Sequence, residues 1–99
     1  MTRILLSEDA FGDLNEGFLF YEAQDSGLGD YFTACLRSDI ESLKFSAGTH
    51  RIFGGFHRLL SHRFPHGIFY TLENDTAIIW AVIDLRRDPA WILEKLTSA

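Results

Sequence analysis

The sequence holds one adjacent pair of arginines, Arg86 and Arg87, which follows the apolar run 77–83 and precedes Pro89. A guanidinium group is a planar fork of donors that matches a phosphate or a carboxylate. Proline cannot donate a ladder hydrogen bond, so a central strand does not continue through it. The pair is therefore predicted to lie at one end of a sheet. There it could bind an anionic target or form ion pairs with the neighbouring aspartates.

Three further arginines each follow a histidine directly. Imidazole groups transfer protons and guanidinium groups hold phosphates, which is the chemistry of a nuclease. Neighbouring strand residues point to opposite faces, however, so the members of a pair do not share a surface. The same pattern is typical of polar residues on a solvated strand. The pairs are His50-Arg51, His57-Arg58 and His62-Arg63.

A metal site built from His57, His62 and His66 is not favoured, because these residues lack compact ligand spacing and a nearby carboxylate or thiolate. No metal and no cofactor are therefore predicted. The single cysteine, Cys35, cannot form an internal disulfide, and this agrees with a cytoplasmic protein.

Length and composition indicate one globular domain over residues 1–99. The hydrophobic fraction is 46%, with nine phenylalanines, which supports a folded chain. No apolar run reaches the roughly 18 residues that span a bilayer, so no membrane association is predicted. The N-terminal residues also lack the pattern of a signal peptide.

Charge is distributed unevenly about a net value of -5. Residues 1–49 contain nine acidic side chains and only three basic ones, Arg3, Arg37 and Lys44, whereas residues 50–99 contain five acidic and six basic side chains. Nucleic-acid backbones reward dense Lys and Arg. This distribution of charge disfavours general nucleic-acid binding, but it is compatible with a local binding site in residues 50–99.

Hydrophobic periodicity predicts two amphipathic helices, Glu8–Gln24 and about Leu28 to Leu43, joined by a short turn that contains Gly27. Ser7 offers an N-cap oxygen to the first of them. Two such helices form an antiparallel hairpin that must bury its apolar stripe on a sheet. Strands are predicted at Arg3–Leu6, Phe56–Arg63, Gly67–Leu72 and Thr76–Asp84.

The fold class that follows is α+β, with a two-helix hairpin packed on a small, largely antiparallel sheet. The last strand is apolar on both faces, which is typical of a strand that is covered on both sides. Two helices cover only one face, so the second face is predicted to await a partner. Trp91, Leu93 and Leu96 form a short amphipathic segment after Pro89, where Trp91 is predicted either to cover the core or to contact a partner.

Several segments together resemble the RelE/ParE superfamily of toxins from bacterial toxin-antitoxin pairs, and the ParE branch most closely. The likeness spans about residues 3–92 and implies a β-α-α-β-β-β fold. It also implies the role of a type II toxin, a class that includes plasmid stabilisation proteins, with a cognate antitoxin as partner. The segments are Phe20-Tyr21-Glu22, Gly27 to Phe32, Arg63-Phe64-Pro65, the aromatic strand ending at Tyr70, and Arg86-Arg87-Asp88-Pro89.

The ribonuclease members of this superfamily usually carry an arginine directly after the histidine of the strand that matches residues 66–70. Here Gly67 stands at that place, and the late histidine or tyrosine of those enzymes falls near Asp84 and Leu85. The resemblance therefore favours the ParE branch, whose members are described as poisons of DNA gyrase that act by binding. A RelE-like, ribosome-dependent mRNA endoribonuclease is the alternative. Its candidate catalytic residues are Arg58, Arg63, His66 and Tyr70.

A non-toxic binding or dimerisation module derived from the family is a further alternative, because the helical half is acidic. For the toxin, the candidate target-binding residues are Arg86, Arg87 and Trp91. The sequence assigns no residue to antitoxin binding.

Overall fold

The computed structural model describes residues Met1–Ala99 as four helices around one five-stranded sheet. None of the helices is both long enough and apolar enough to cross a membrane. In chain order the elements are β1 (Arg3–Leu6), α1 (Glu8–Gln24), α2 (Leu28–Glu41), α3 (Leu43–Ser46), β2 (Ile52–Phe53), β3 (Phe56–Leu60), β4 (His66–Glu73), β5 (Thr76–Asp84) and α4 (Pro89–Thr97).

The predicted helical hairpin is present, and its ends have identifiable caps. The Ser7 hydroxyl accepts a hydrogen bond from the Ala10 amide at 3.1 Å, as expected of an N-cap. At the turn, the Glu22 carboxylate accepts hydrogen bonds from the amides of Gly27 and Gly29. Gly27 has φ 89, in the left-handed region that suits glycine.

Close packing of α1 on α2 depends on Gly29. A Cβ atom at this position would lie 2.7 Å from the Phe18 carbonyl oxygen and 2.9 Å from the Glu22 Cβ. The two helices can approach this closely only because Gly29 has no side chain.

The strand order in the sheet is β1-β5-β4-β3-β2, with β1 parallel to β5 and every other pair antiparallel. This confirms the predicted α+β class with a largely antiparallel sheet. The register between β4 and β5 shifts between Phe69 and Tyr70, where Tyr70 lies opposite Ile79 and Phe69 lies opposite Ala81. Trp80 is the additional residue of this bulge.

Each face of the sheet carries its own core. On one face the hairpin buries Phe32 and Leu36 against Ile68, Tyr70 and Ile79. On the other face α4 places Ile92 and Leu96 against Phe69, Ala81 and Ile83.

The expectation that the second face lacks a cover is therefore wrong for the part that α4 reaches. Pro89 does not simply end the strand, because it occupies the first turn of α4 and the Asp88 side chain caps that helix through the Ala90 amide at 3.1 Å. The rest of this face stays open, with Leu5 55% exposed.

Four details of the predicted elements also need correction. The second helix ends at Glu41, and the single turn α3 follows. Strand β4 begins at His66, one residue earlier than predicted, and the predicted loop before β3 contains the short strand β2.

The fourth correction concerns β3, which ends at Leu60 and not at Arg63. Asp39, which is 5% exposed on α2, accepts hydrogen bonds from the Ser61 hydroxyl and from His62 Nδ1, both at 2.7 Å. These contacts draw the chain away from the sheet immediately after Leu60.

Candidate functional site

Arg87, the second of the two arginines that follow β5, lines a cleft of about 460 Å³. We call it the C-terminal cleft. Helix α1, the ends of β4 and β5, and helix α4 form its walls. Its lining includes Glu16, Tyr21, His66, Asp84, Arg87 and Trp91.

Arg86 is engaged by its own neighbour, Asp84. The guanidinium donates from Nε to Asp84 Oδ1 at 3.0 Å and from Nη2 to Oδ2 at 2.7 Å. The Arg86 amide donates to the same carboxylate at 2.9 Å. These hydrogen bonds hold the pKa of Asp84 below its usual range. Arg86 is therefore already satisfied within the chain, in the ion pair that the sequence left open.

Arg87 has a different environment. Its Cζ atom lies 4.1 Å from the centre of the Trp91 ring, one helical turn further on, and its side chain has no carboxylate partner. Trp91 is 39% exposed, so it does not act as a closed lid over the core. A cation stacked on an indole face is stabilised by the ring quadrupole. Arg87 and Trp91 thus present a charged aromatic surface at the mouth of the cleft.

His66 lies on an inner wall of the cleft, within an aromatic cluster. Its ring centre is 5.0 Å from that of Phe32 and 6.1 Å from that of Tyr21. The side chain is 7% exposed, and its buried Nδ1 has no hydrogen-bond partner. Burial lowers the pKa of His66. The imidazole is therefore held in its neutral form at neutral pH.

This environment predicts how stability depends on pH. The nearby charges of Asp84 and Arg86 act on His66 in opposite directions, and burial decides the sign of its pKa shift. The histidine of the unfolded chain titrates near pH 6.5, so below that pH the unfolded state binds the additional proton. The part of the stability that neutral His66 contributes is present above about pH 6.5 and is lost as the pH falls toward the lower folded pKa.

His66→Phe should therefore narrow the gap between the melting temperatures at about pH 7.5 and about pH 5.5. Burial also lowers the pKa of His50, so the variant keeps the pH dependence of stability that His50 contributes. The melt at the higher pH is the control, because it reports any change in packing alone. A gap that equals that of the unsubstituted chain would show that His66 does not supply this pH dependence.

Asp13 and Lys95 hold two walls of the cleft together, and sequence reasoning did not find them. Lys95 Nζ lies 2.9 Å from Asp13 Oδ1, and the amide of Val82 donates to Asp13 Oδ2 at 2.9 Å. Burial raises the pKa of Asp13. The contacts join α1 to β5 and α4, which lie near the other end of the chain.

The four candidate nuclease residues do not converge on one surface. Tyr70 is fully buried on the hairpin face of the sheet, where its hydroxyl contacts the Gly48 amide at 2.9 Å and His50 Nδ1 at 2.6 Å. Arg58 pairs with Phe69 in register on the opposite face. Arg63 is exposed in the turn after β3, and His66 lies in the C-terminal cleft. The three candidate target-binding residues, in contrast, lie together at one end of the sheet.

His50 and His57 both contact Tyr70, an arrangement that the alternation of residues within one strand could not predict. The His57 ring stacks on Tyr70, with 5.1 Å between ring centres, and its Nδ1 lies 2.8 Å from the His50 carbonyl oxygen. Because that oxygen only accepts hydrogen bonds, Nδ1 of His57 carries the proton. No three His, Cys, Asp or Glu side chains lie close enough together to hold a metal ion.

Comparison with known proteins reveals a likeness of fold. No protein-family model matches the sequence, and no curated protein matches it either. A solved structure described as "Chromosomal ParDE TA system from P. aeruginosa" contains a chain that superposes on this one with a TM-score of 0.70. The match covers 85% of this chain and 96% of that chain, at 13% sequence identity. This chain therefore shares its fold with a chain of a ParDE toxin-antitoxin system.

Proposed function

We propose that this protein is the toxin of a type II toxin-antitoxin pair and that a cognate antitoxin neutralises it. The observation that carries the proposal is the common fold, which extends over nearly the whole of the ParDE chain. The sequence resemblance to the ParE branch, quoted above, points the same way. At 13% identity the fold alone does not assign a function, so the surface of the molecule must supply the remaining support.

The proposed mode of action is binding of DNA gyrase at the C-terminal cleft. Trp and Arg dominate the energetic centres of protein interfaces. Arg87 and Trp91 stack on each other, both side chains are exposed, and Arg87 has no carboxylate partner. The buried position of Tyr70 and the separation of Arg58 from it argue against catalysis by the candidate nuclease set.

An assay of the purified protein distinguishes the gyrase target from the ribonuclease alternative. Added to purified gyrase, the protein should inhibit supercoiling of relaxed plasmid in proportion to its concentration. Added to a translating extract, it should leave messenger RNA intact, because Gly67 stands where the ribonucleases carry an arginine. Losing one preorganised charge-stabilising group typically costs about a hundred- to a thousandfold in rate.

Cleavage of messenger RNA at defined codons would overturn the gyrase proposal in favour of the ribonuclease. Protein that affects neither reaction would favour the non-toxic binding module. Relaxation of the supercoiled form of the same plasmid by topoisomerase I serves as the control for non-specific inhibition.

A further inference from the structure

Another concave surface lies near the sheet edge that β2 and β3 form. It is a groove of about 630 Å³ between the turn α3, the loop 47–51 and strand β3. We call it the β3 groove. Its volume falls within the range of about 300–1,000 Å³ that is usual for ligand sites. The polar residues that line it include Ser46, Thr49, His50, Arg51, Arg58 and His62.

The β3 groove is basic, although the chain as a whole has a net charge of -5. No aspartate or glutamate lines it, whereas Asp13, Glu16 and Asp84 line the C-terminal cleft. Arg51 and Arg58 form no ion pair, and the Nε atom of Arg58 is buried without a hydrogen-bond partner. A buried donor without a partner costs stability, and a guanidinium without a carboxylate favours an anion from outside the chain.

His50 adds a hydrogen-bond donor whose identity is fixed by Tyr70. The hydroxyl of the fully buried Tyr70 accepts a hydrogen bond from the Gly48 amide at 2.9 Å and lies 2.6 Å from His50 Nδ1. Because Nδ1 is the one acceptor among these contacts, the hydroxyl donates its proton to Nδ1. The proton of the neutral imidazole is then on Nε2. This Nε2–H group has no partner within the chain, so it is available to a ligand in the groove.

The hydroxyl groups of the β3 groove have the complementary role of acceptors. The Ser46 hydroxyl donates to the Ser42 carbonyl oxygen at 2.9 Å, and the Thr49 hydroxyl donates to the Ser46 carbonyl oxygen at 2.7 Å. A hydroxyl has one proton and two acceptor lone pairs. With their protons already donated, both oxygens can only accept a further hydrogen bond. The groove therefore combines donors for an anion with acceptors for hydroxyl groups.

We propose that the β3 groove binds a small phosphate ester that carries free hydroxyl groups, such as a sugar phosphate. The phosphate would meet Arg51 and the Nε2–H group of His50, and the hydroxyl groups of the ligand would donate to Ser46 and Thr49. Charge-assisted hydrogen bonds from arginine to phosphate are among the strong ones. A long polyanion is disfavoured, because the remaining surface carries the net negative charge of the chain.

Titration calorimetry of the purified protein with ribose 5-phosphate, propyl phosphate, sulfate and ribose tests this chemistry. Ribose 5-phosphate should bind more tightly than propyl phosphate or sulfate, and ribose should give no measurable binding. Arg51→Gln should weaken binding of ribose 5-phosphate about fivefold, because it removes one exposed attraction. Arg37→Gln is the matched control, since Arg37 is exposed, has the same charge and lies outside the groove.

Two further variants separate the donor from the acceptors. His50→Asn leaves an oxygen near the position of Nδ1 for Tyr70 and removes the Nε2 donor, so it should weaken binding of both phosphate esters. Thr49→Val should weaken binding of ribose 5-phosphate about threefold and leave that of propyl phosphate unchanged, because only the former has hydroxyl groups to donate. If His50→Asn lowers the melting temperature strongly, Arg51→Gln and Thr49→Val still decide the question, since both residues are exposed.

Nuclear magnetic resonance of the histidine rings locates the ligand. The ring signals of His50 and His62 should shift when ribose 5-phosphate is added. Equal effects of Arg51→Gln and Arg37→Gln, equal affinity for ribose 5-phosphate and sulfate, or shifts confined to His66 would each overturn the proposal. Tighter binding of a single-stranded RNA oligonucleotide, with an affinity that falls steeply with salt, would assign the groove to nucleic acid and would overturn it too. None of these outcomes depends on the toxin role, because all are measured on the purified protein.

Discussion

Arg87→Ala should remove most of the growth inhibition caused by this protein, whereas Arg86→Ala should leave it nearly unchanged. The two substitutions remove the same charge from adjacent positions, so each is the control for the other. The guanidinium of Arg86 is bound twice by Asp84. That of Arg87 is stacked on Trp91 and free to meet a target. Truncation of a central arginine in an interface typically costs about 2 kcal/mol or more, which corresponds to about 30-fold in affinity.

Neither substitution should unfold the protein. A cation stacked on an exposed aromatic ring contributes about 0.5–1 kcal/mol, and an ion pair in contact with water contributes little to stability. Thermal melts of both variants should therefore lie close to that of the unsubstituted chain, and both should still bind the antitoxin.

Trp91→Ala is the second arm of this experiment, and it should reproduce the loss seen with Arg87→Ala. Equal loss of inhibition in both arginine variants would mean that the Asp84 ion pair does not withhold Arg86 from the target. Full inhibition by Arg87→Ala and Trp91→Ala would remove the C-terminal cleft from the proposed mode of action.

The helices and strands were largely predictable because their periodicity is strong and local. The stripe that includes Phe32 and Leu36 recurs at helical spacing, and the apolar run of β5 is long enough to identify a strand covered on both faces. The end of β3 was not predictable. It depends on Asp39, which is more than twenty residues away from the two side chains it binds.

The helix α4 shows how the same local signal can be interpreted in two ways. Pro89 is typical of a residue that a strand does not continue through, and β5 does end before it, at Asp84, but Asp88 and Pro89 also start a helix that covers part of the second sheet face. Only the position of Ile92 and Leu96 against Phe69 distinguishes a short exposed segment from a covering element. This packing is a tertiary contact that the local sequence does not reveal, so the sequence indicated that the second face of the sheet was uncovered.

The candidate sites also differ in whether their residues are close in the sequence or meet only in the fold. Arg86, Arg87 and Trp91 were found because they are close in the sequence, although their unequal environments become visible only in three dimensions. A groove of about 890 Å³ between β1 and the two helices of the hairpin was not predicted, because Arg3, Arg37 and Lys44, which line it, are distant in the sequence and meet only when the hairpin packs beside β1. The one available signal was that these are the only basic residues in an acidic half of the chain. The sequence alone does not show where in the fold they meet.

The most direct test of the toxin role is growth after induced expression, measured with and without the product of a neighbouring gene that encodes a short DNA-binding protein. Expression of this chain alone should arrest growth and induce the DNA-damage response, and co-expression of the neighbouring product should restore growth. An inactive control is supplied by Arg87→Ala at the same expression level. Normal growth of cells that contain abundant, folded and unpartnered protein would contradict the proposal that this chain is a toxin.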